Sequence, residues 1–327
     1  MGSRTLCALC VALLTGLWQS LYAPCATAQT YPVKPIRLLF GYTAGGAGDV
    51  SARMLAQKLS EMLGQQVLVE NRPGAGGAIA DEAVAKALAD GYTLLYAAGS
   101  TAILPSLRAR LPYDVARDFA PVSLVVITAF ALCLHPSVPA RDVQALIALA
   151  RAQPGKLTHS SPGIGSSAHF AAEVFKMMAN VKILHVPFKG PPEATTAVVA
   201  GELDVGFPSV TGALPFVATQ RLRALAVSSA RRAAQLPGVP TLAEAGLPGY
   251  ERAGWNGVLA PAAVPKDIIA RLNAAIVKIV NQPDMKDAFF KQGLESQTNT
   301  PDEFATFIRR ELAQNAKVAQ FAGIKAD

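Results

Sequence analysis

From Gln29 onward, short apolar runs of β type alternate with amphipathic stretches, which is the mark of an α/β chain with mostly parallel sheets. Ile36-Arg37-Leu38-Leu39-Phe40 reads as a strand. A Gly-rich turn follows it, then a helix from about Val50 whose Met54, Leu55, Leu59 and Met62 share one face until Gly64 stops it. The theme repeats in the strand Val67 to Val69, the helix Ala78 to Leu88 and the strand Tyr92 to Ala97. From Val122 to Leu134 the chain is apolar except at Ser123 and Thr128. That run is too long for one ordinary strand and suits a segment that crosses between domains.

A second α/β unit follows. Its helices are expected at Asp142 to Ala152, Ala168 to Ala179 and Glu193 to Ala200, and its strands at Leu157 to Ser160, Ile183 to Phe188, Val205 to Phe207 and Arg223 to Val227. After a Pro/Gly-rich stretch from Pro237 to Gly249, Glu251 to Leu259 resembles a return strand, and three amphipathic helices finish the chain. The last begins with Thr300, Pro301 and Glu303 placed as cap, first-turn proline and capping-box acid. Two domains are expected, 29–127 with 251–327 and 128–250. No internal repeat of fixed period is visible.

The first 28 residues differ in kind. Arg4 is their only charge, an apolar stretch runs from Leu6 to Trp18, and Ala26-Thr27-Ala28 offers a small-x-small cleavage pattern. This predicts a cleavable secretory leader, a mature start at Gln29 and export to the periplasm; the alternative is an N-terminal membrane anchor. Mean hydropathy is +0.29, yet no other apolar run approaches the roughly 20 residues a spanning helix needs. The leader takes Cys7, Cys10 and Cys25, so Cys133 is left alone and reads as a buried small hydrophobe. The formal charge of +7 invites a nucleic-acid reading, but the basic residues are scattered singly apart from the pairs Arg231-Arg232 and Arg309-Arg310, and aromatics make up only 7% with no basic–aromatic interleaving. Nucleic acid is excluded as a partner on that pattern.

Candidate chemistry gathers in three loops between a strand and a helix. They are Gly41 to Asp49, Ser160 to His169, and Lys189-Gly190-Pro191-Pro192. Small residues leave backbone N–H groups bare at helix N-termini, where they bind anions. The first two loops carry no Lys or Arg, which suits a small carboxylate better than a polyphosphate. Gly163-Ile164-Gly165-Ser166-Ser167-Ala168 also fits the dinucleotide pattern G-x-G-x-x-A, but the strand before it is polar and no acid lies about 20 residues on to hold a ribose. No cofactor is expected. His169 and Glu173 are four apart on a predicted helix, a spacing that serves packing or capping more often than a metal, and no metal is expected.

Across nearly all of the mature chain these loops resemble the substrate-binding proteins of tripartite tricarboxylate transporters, the family of the Bordetella uptake gene (Bug) products. The resemblance is carried by Ala44 to Asp49 with Ala52-Arg53, Val69 to Gly77, Asp90 to Leu95 and Leu111 to Asp114. It continues in Gly163 to His169, His185 to Gly190, Pro237 to Thr241 and Glu244 to Gly249. It implies an α/β type II periplasmic-binding-protein fold, two α/β domains closing on a ligand cleft. It also implies a non-enzymatic, monomeric receptor that captures a small carboxylate for membrane transporter subunits. The residues it implies at the ligand are Tyr42, Thr43, Ala44, Gly45, Gly46 and Asp49 of the first loop, with Ser100 and Thr101 after the strand at Tyr92. From the second unit it implies Ser161, Gly163, Gly165, Ser166, Ser167, His169, Lys189, Gly190, Asp204 and Ser209. Thr43-Ala44 stands where many relatives have a proline, and Pro208 where an acidic residue is common. The missing acid tilts the expectation from an amino acid toward a plain organic acid. The alternatives are an exported enzyme using the same cleft and a receptor reporting to a signalling partner.

Overall fold

The computed structural model describes residues 31–325, and the predicted leader, 1–28, lies outside the described residues. β1 (Ile36–Phe40) leads into α1 (Ala47–Leu63), β2 (Val67–Asn71), α2 (Ala78–Ala85), β3 (Thr93–Ala98), α3 (Gly99–Leu107) and the short α4 (Val115–Asp118). β4 (Phe119–Ala129) runs almost directly into β5 (Ala131–Leu134), followed by α5 (Val143–Ala152), β6 (Thr158–Ser161), α6 (Ser167–Ala179) and β7 (Leu184–Pro187). Then come α7 (Pro191–Val199), β8 (Val205–Gly206), α8 (Val210–Ala218) and β9 (Arg223–Val227). The chain returns along β10 (Ala253–Pro261) and finishes with α9 (Lys266–Val280), α10 (Pro283–Lys291), β11 (Glu295–Ser296) and α11 (Pro301–Ala322).

These strands form two sheets, in the orders β11-β4-β10-β3-β1-β2 and β7-β6-β8-β5-β9. The apolar run Val122 to Leu134 is therefore two strands in two different sheets, with Phe130 between them. β10 comes back antiparallel to β4 along its whole length, from Ala253 opposite Ala129 to Pro261 opposite Phe119. Gly254 stands opposite Thr128, and a Cβ on it would lie 3.1 Å from the Phe130 ring. Two chain segments thus pass side by side between the sheets, one of them the run Val122 to Leu134 whose length suits a crossing.

Parallel pairing of β1 with β2 and β3, and of β6 with β7 and β8, sends the loops at their C-terminal ends to one edge of each sheet. The apolar alternation that predicts these strands becomes two helix-covered cores, since Leu38, Leu39, Leu94 and Leu95 of the first sheet are buried, as are Leu132, Leu134 and Val205 of the second. The second core also takes Ile103 and Leu107 from α3 and Val318 and Ala319 from α11. Cys133 is buried, and burial pushes its thiol up to about 12, so it packs as a hydrophobe. The predicted capping box at Thr300 and Glu303 is formed in both directions.

Candidate ligand-binding site

The loop after β1 is held from below. A Cβ on Gly41 would lie 2.6 Å from Gly77 Cα, so only glycine lets these two turns approach. Asp49 is buried in the first turn of α1, where Oδ2 accepts from the Gly45 N–H (3.0 Å) and Arg53 Nε (3.0 Å), and Oδ1 accepts from Asn71 Nδ2 (2.8 Å). Burial pushes this carboxyl up, but the bonds from Arg53, Gly45 and Asn71 outweigh it and hold the group below its usual range. Asp49 therefore shapes the loop with its oxygens already engaged. Thr43 to Gly46 stay exposed, and Gly46 caps α1 with no side-chain bond, leaving first-turn amides open to a ligand.

Tyr42 is fixed behind that loop. Its hydroxyl donates to Ser100 Oγ at 2.5 Å and lies 3.1 Å from the Gly76 carbonyl oxygen. Burial is the main reason its phenol is pushed up to about 12, so it remains a neutral donor. Ser100 and Thr101 sit in the first turn of α3, whose cap, Ala98, offers no side-chain bond to the helix amides. Beneath them Asp81 is buried, accepting from Tyr113 Oη at 3.1 Å and Thr101 Oγ1 at 3.4 Å.

Burial raises Asp81 to about 7 despite those two donors. The folded state consequently holds this proton more tightly than the unfolded chain, and its contribution to stability falls as pH rises from about 4 toward 7. His185 works in the opposite sense, because burial and the neighbouring His169 and His159 push it down to about 3. Its contribution is lost as pH falls from about 6.5. Asp81→Asn separates the two. Urea unfolding at a series of pH values should show the variant gaining stability over the parent between pH 4 and 7, with no further gain above; a flat difference would mean that Asp81 ionises freely.

In the second sheet the loop after β6 is tied by its own hydroxyls. The Gly163 N–H donates to Ser161 Oγ at 3.1 Å, and that hydroxyl pairs with His185 Nε2 at 2.6 Å. Ser166 caps α6 by accepting from the His169 N–H at 3.2 Å, and the Gly165 N–H donates to His169 Nδ1 at 3.3 Å. His159, His169 and His185 stack, with ring centroids 3.9 Å apart for His169 and His185 and 4.8 Å for His159 and His185. Buried Glu173 lies 3.4 Å from Nε2 of both His159 and His169 and 2.6 Å from Lys176 Nζ. Burial pushes its carboxyl up, but these donors outweigh burial and hold it well below the usual range. No group of three or more His, Cys, Asp or Glu suited to a metal occurs among the described residues.

The two sheet edges meet at α3 and α6. A Cβ on Gly99 would lie 2.5 Å from Ser167 Oγ, and one on Gly165 would lie 3.0 Å from Leu107 Cδ1. Gly99 and Ser100 of the first edge thus stand next to Ser167 of the second, with the hydroxyl of Tyr42 joined through Ser100, whereas Thr101 turns to buried Asp81 and Ser161 and His169 turn to His185. Gly190 begins α7 without a side-chain cap, and exposed Lys189 donates its N–H to Glu193 Oε2 at 3.2 Å. Ser209 caps α8, accepting from the Gly212 N–H, and bridges to Phe130 between the sheets.

Asp204 is the residue that the structure does not bring to the group. It precedes β8, level with the start of β6, where Oδ2 accepts from Thr158 N at 2.9 Å and Thr158 Oγ1 at 3.0 Å. That is the N-terminal end of the parallel strands, opposite the edge that carries Ser161. The expectation that Asp204 meets the ligand is corrected on this geometry. A residue that sequence reasoning missed is Trp255 on β10, whose Nε1 lies 3.5 Å from the Cβ position of Gly99. Its only signal in the sequence is an aromatic residue in a return strand.

Residues 51–324 match the family described as "Tripartite tricarboxylate transporter family receptor". Protein BugT of Bordetella pertussis is 36% identical over 301 residues, covering 91% of this chain and 92% of BugT. Among solved structures, R. palustris Rpa4515 with adipate is similar at TM-score 0.80 and 33% identity, covering 90% of this chain and 99% of its own. The periplasmic binding protein BugD is similar at TM-score 0.78 and 27% identity, covering 91% of this chain and 100% of its own.

Proposed function

Because the chain belongs to the tripartite tricarboxylate transporter receptor family, we propose that it is a periplasmic binding protein that captures a small carboxylate, unchanged, for a transporter of that type. The observation that carries this reading is the meeting of the α3 and α6 N-termini, where Gly99 stands against Ser167 and uncapped amides lie beside the hydroxyls of Ser100 and Ser167. Such a cradle offers donors without fixed positive charge, which suits a carboxylate. The adipate in Rpa4515 is of that chemical class.

In this reading the leader 1–28 exports the chain, and the mature protein works as a monomer. Residues 29–127 with 251–327 form one lobe and 128–250 the other. The lobes close about the paired segments at Thr128 and Gly254, where a few residues absorb the rotation. The loops at Thr43 to Gly46 and at Lys189 complete the grip from the two sides.

A thermal-shift screen of di- and tricarboxylates, keto acids, aromatic acids and amino acids tests this. A true ligand at 100 times its dissociation constant should add about 2.7 kcal/mol of stability. The bound compound should be recovered with its mass unchanged. No shift across the screen would count against the reading, and a changed mass would favour an enzyme.

A further inference from the structure

Trp255 is 3% exposed, and its indole Nε1 has no hydrogen-bond partner among the described residues. A buried indole N–H ordinarily finds an acceptor, because leaving it unpaired costs free energy. The ring is not free to turn elsewhere. Phe304 and Phe307 pack edge-on against it, with centroids 5.7 and 5.6 Å away and interplanar angles of 87° and 84°. The backbone beside it is anchored as well, since Asn256 pairs in register with Ala98 and its Nδ2 donates to the Ala97 carbonyl at 3.2 Å.

That clamp aims Nε1 at the first residue of α3. Glycine at position 99 allows this close approach, because a Cβ there would stand 3.5 Å from Nε1 and 2.5 Å from Ser167 Oγ. Around the same point lie the uncapped amides of α3 and Ser167, the first residue of α6. The indole N–H, the Ser167 hydroxyl and the α3 amides are all able to donate, and none of them brings a charge. An acceptor with several lone pairs completes the arrangement, and a carboxylate supplies them.

We infer that Trp255 donates its indole N–H to a carboxylate oxygen of the captured anion at the junction of the α3 and α6 N-termini, and so sets how deep the anion sits. This rests on the proposed receptor function and adds to it a side chain from the segment that passes between the sheets. A ligand held there bonds to the strand that joins the lobes as well as to loops on each side. Binding and lobe closure are coupled through that contact.

The test uses the full protein purified from exporting cells, with malate, succinate and adipate as probes. Calorimetry compares the parent with Trp255→Phe, which keeps a packed ring but has no donor, and with Gly99→Ala, which keeps the donor and places a methyl in front of it. Both variants should bind at least about ten-fold more weakly, while the melting temperature of ligand-free Gly99→Ala stays near that of the parent. In parallel, the ¹⁵N-labelled indole cross-peak of Trp255, assigned by its loss in Trp255→Phe, should move downfield as the probe saturates the parent. If the parent binds a probe and the cross-peak does not move, or if both variants bind as the parent does, the inference is overturned while the receptor function stands. If the parent binds none of the carboxylates, the receptor reading fails and takes this inference with it. Should Trp255→Phe fail to fold, Gly99→Ala and the cross-peak shift in the parent decide the matter.

Discussion

Arg252→Met is expected to destabilise the protein by about 3–5 kcal/mol, because it strands a buried carboxylate. Arg252 is 6% exposed and stands just before β10, where the chain leaves the second sheet for the first. Its Nη1 donates to Glu311 Oε1 at 3.0 Å and its Nη2 donates to Asn315 Oδ1, both on α11. Asn315 in turn donates to the Ala102 carbonyl of α3 at 2.9 Å, while the Arg252 N–H donates to the Ser228 carbonyl at 2.8 Å. Arg252 therefore ties the end of the second sheet through its backbone and the last helix through its guanidinium, and Asn315 carries the link on to the helix that holds Ser100 and Thr101. Removing the cation alone leaves Glu311 buried and unpaired. Arg252→Met with Glu311→Leu should lose clearly less, since an apolar pair of similar volume strands no charge. Urea midpoints of the two variants check this; equal losses would mean that packing, not charge, holds the junction.

The elements with one wet and one dry face were legible in the sequence. α1 and α5 show the period of a half-exposed helix, and their observed bounds fall within a few residues of the expected ones; the cap at Thr300 likewise marks the start of α11. α3 and α8 were not legible. α3 buries seven of its nine residues and contains Pro105, so it has no polar face to mark a period. α8 contains Pro215 and Gly212. The length of Val122 to Leu134 announced a crossing, but only backbone pairing shows that the break falls at Phe130, between two sheets.

The loops of the site were legible because glycine and serine before a helix carry a physical meaning of their own. What each residue does inside a loop was not. Asp49 and Asp204 look alike as loop acids, yet one braces the first loop and the other pins the far end of β6. Trp255 carries no spacing signal, since its indole meets Gly99 only through the pairing of β10 with β3. The three histidines likewise come from β6, α6 and β7, and nothing in their separation along the chain predicts that they stack.

Gly165→Val is expected to lose binding through the fold, not by blocking a ligand's approach to the loop. Gly165 has φ +82°, a conformation that a β-branched residue adopts only at a cost of about 1–3 kcal/mol. Its missing Cβ faces Leu107 Cδ1 at 3.0 Å, inside the core that α3 and α6 share, so valine also overpacks that seam by about 1–3 kcal/mol. The two costs have separate remedies. Leu107→Ala in the same chain opens space for the valine but leaves the backbone strain, so part of the lost urea stability should return and part should not. Calorimetry on whatever remains folded then reads the site itself: the folded fraction of Gly165→Val should still bind within a few-fold of the parent. If Gly165→Val keeps the parent's urea midpoint and yet binds nothing, the glycine meets the ligand directly and its packing against Leu107 is incidental.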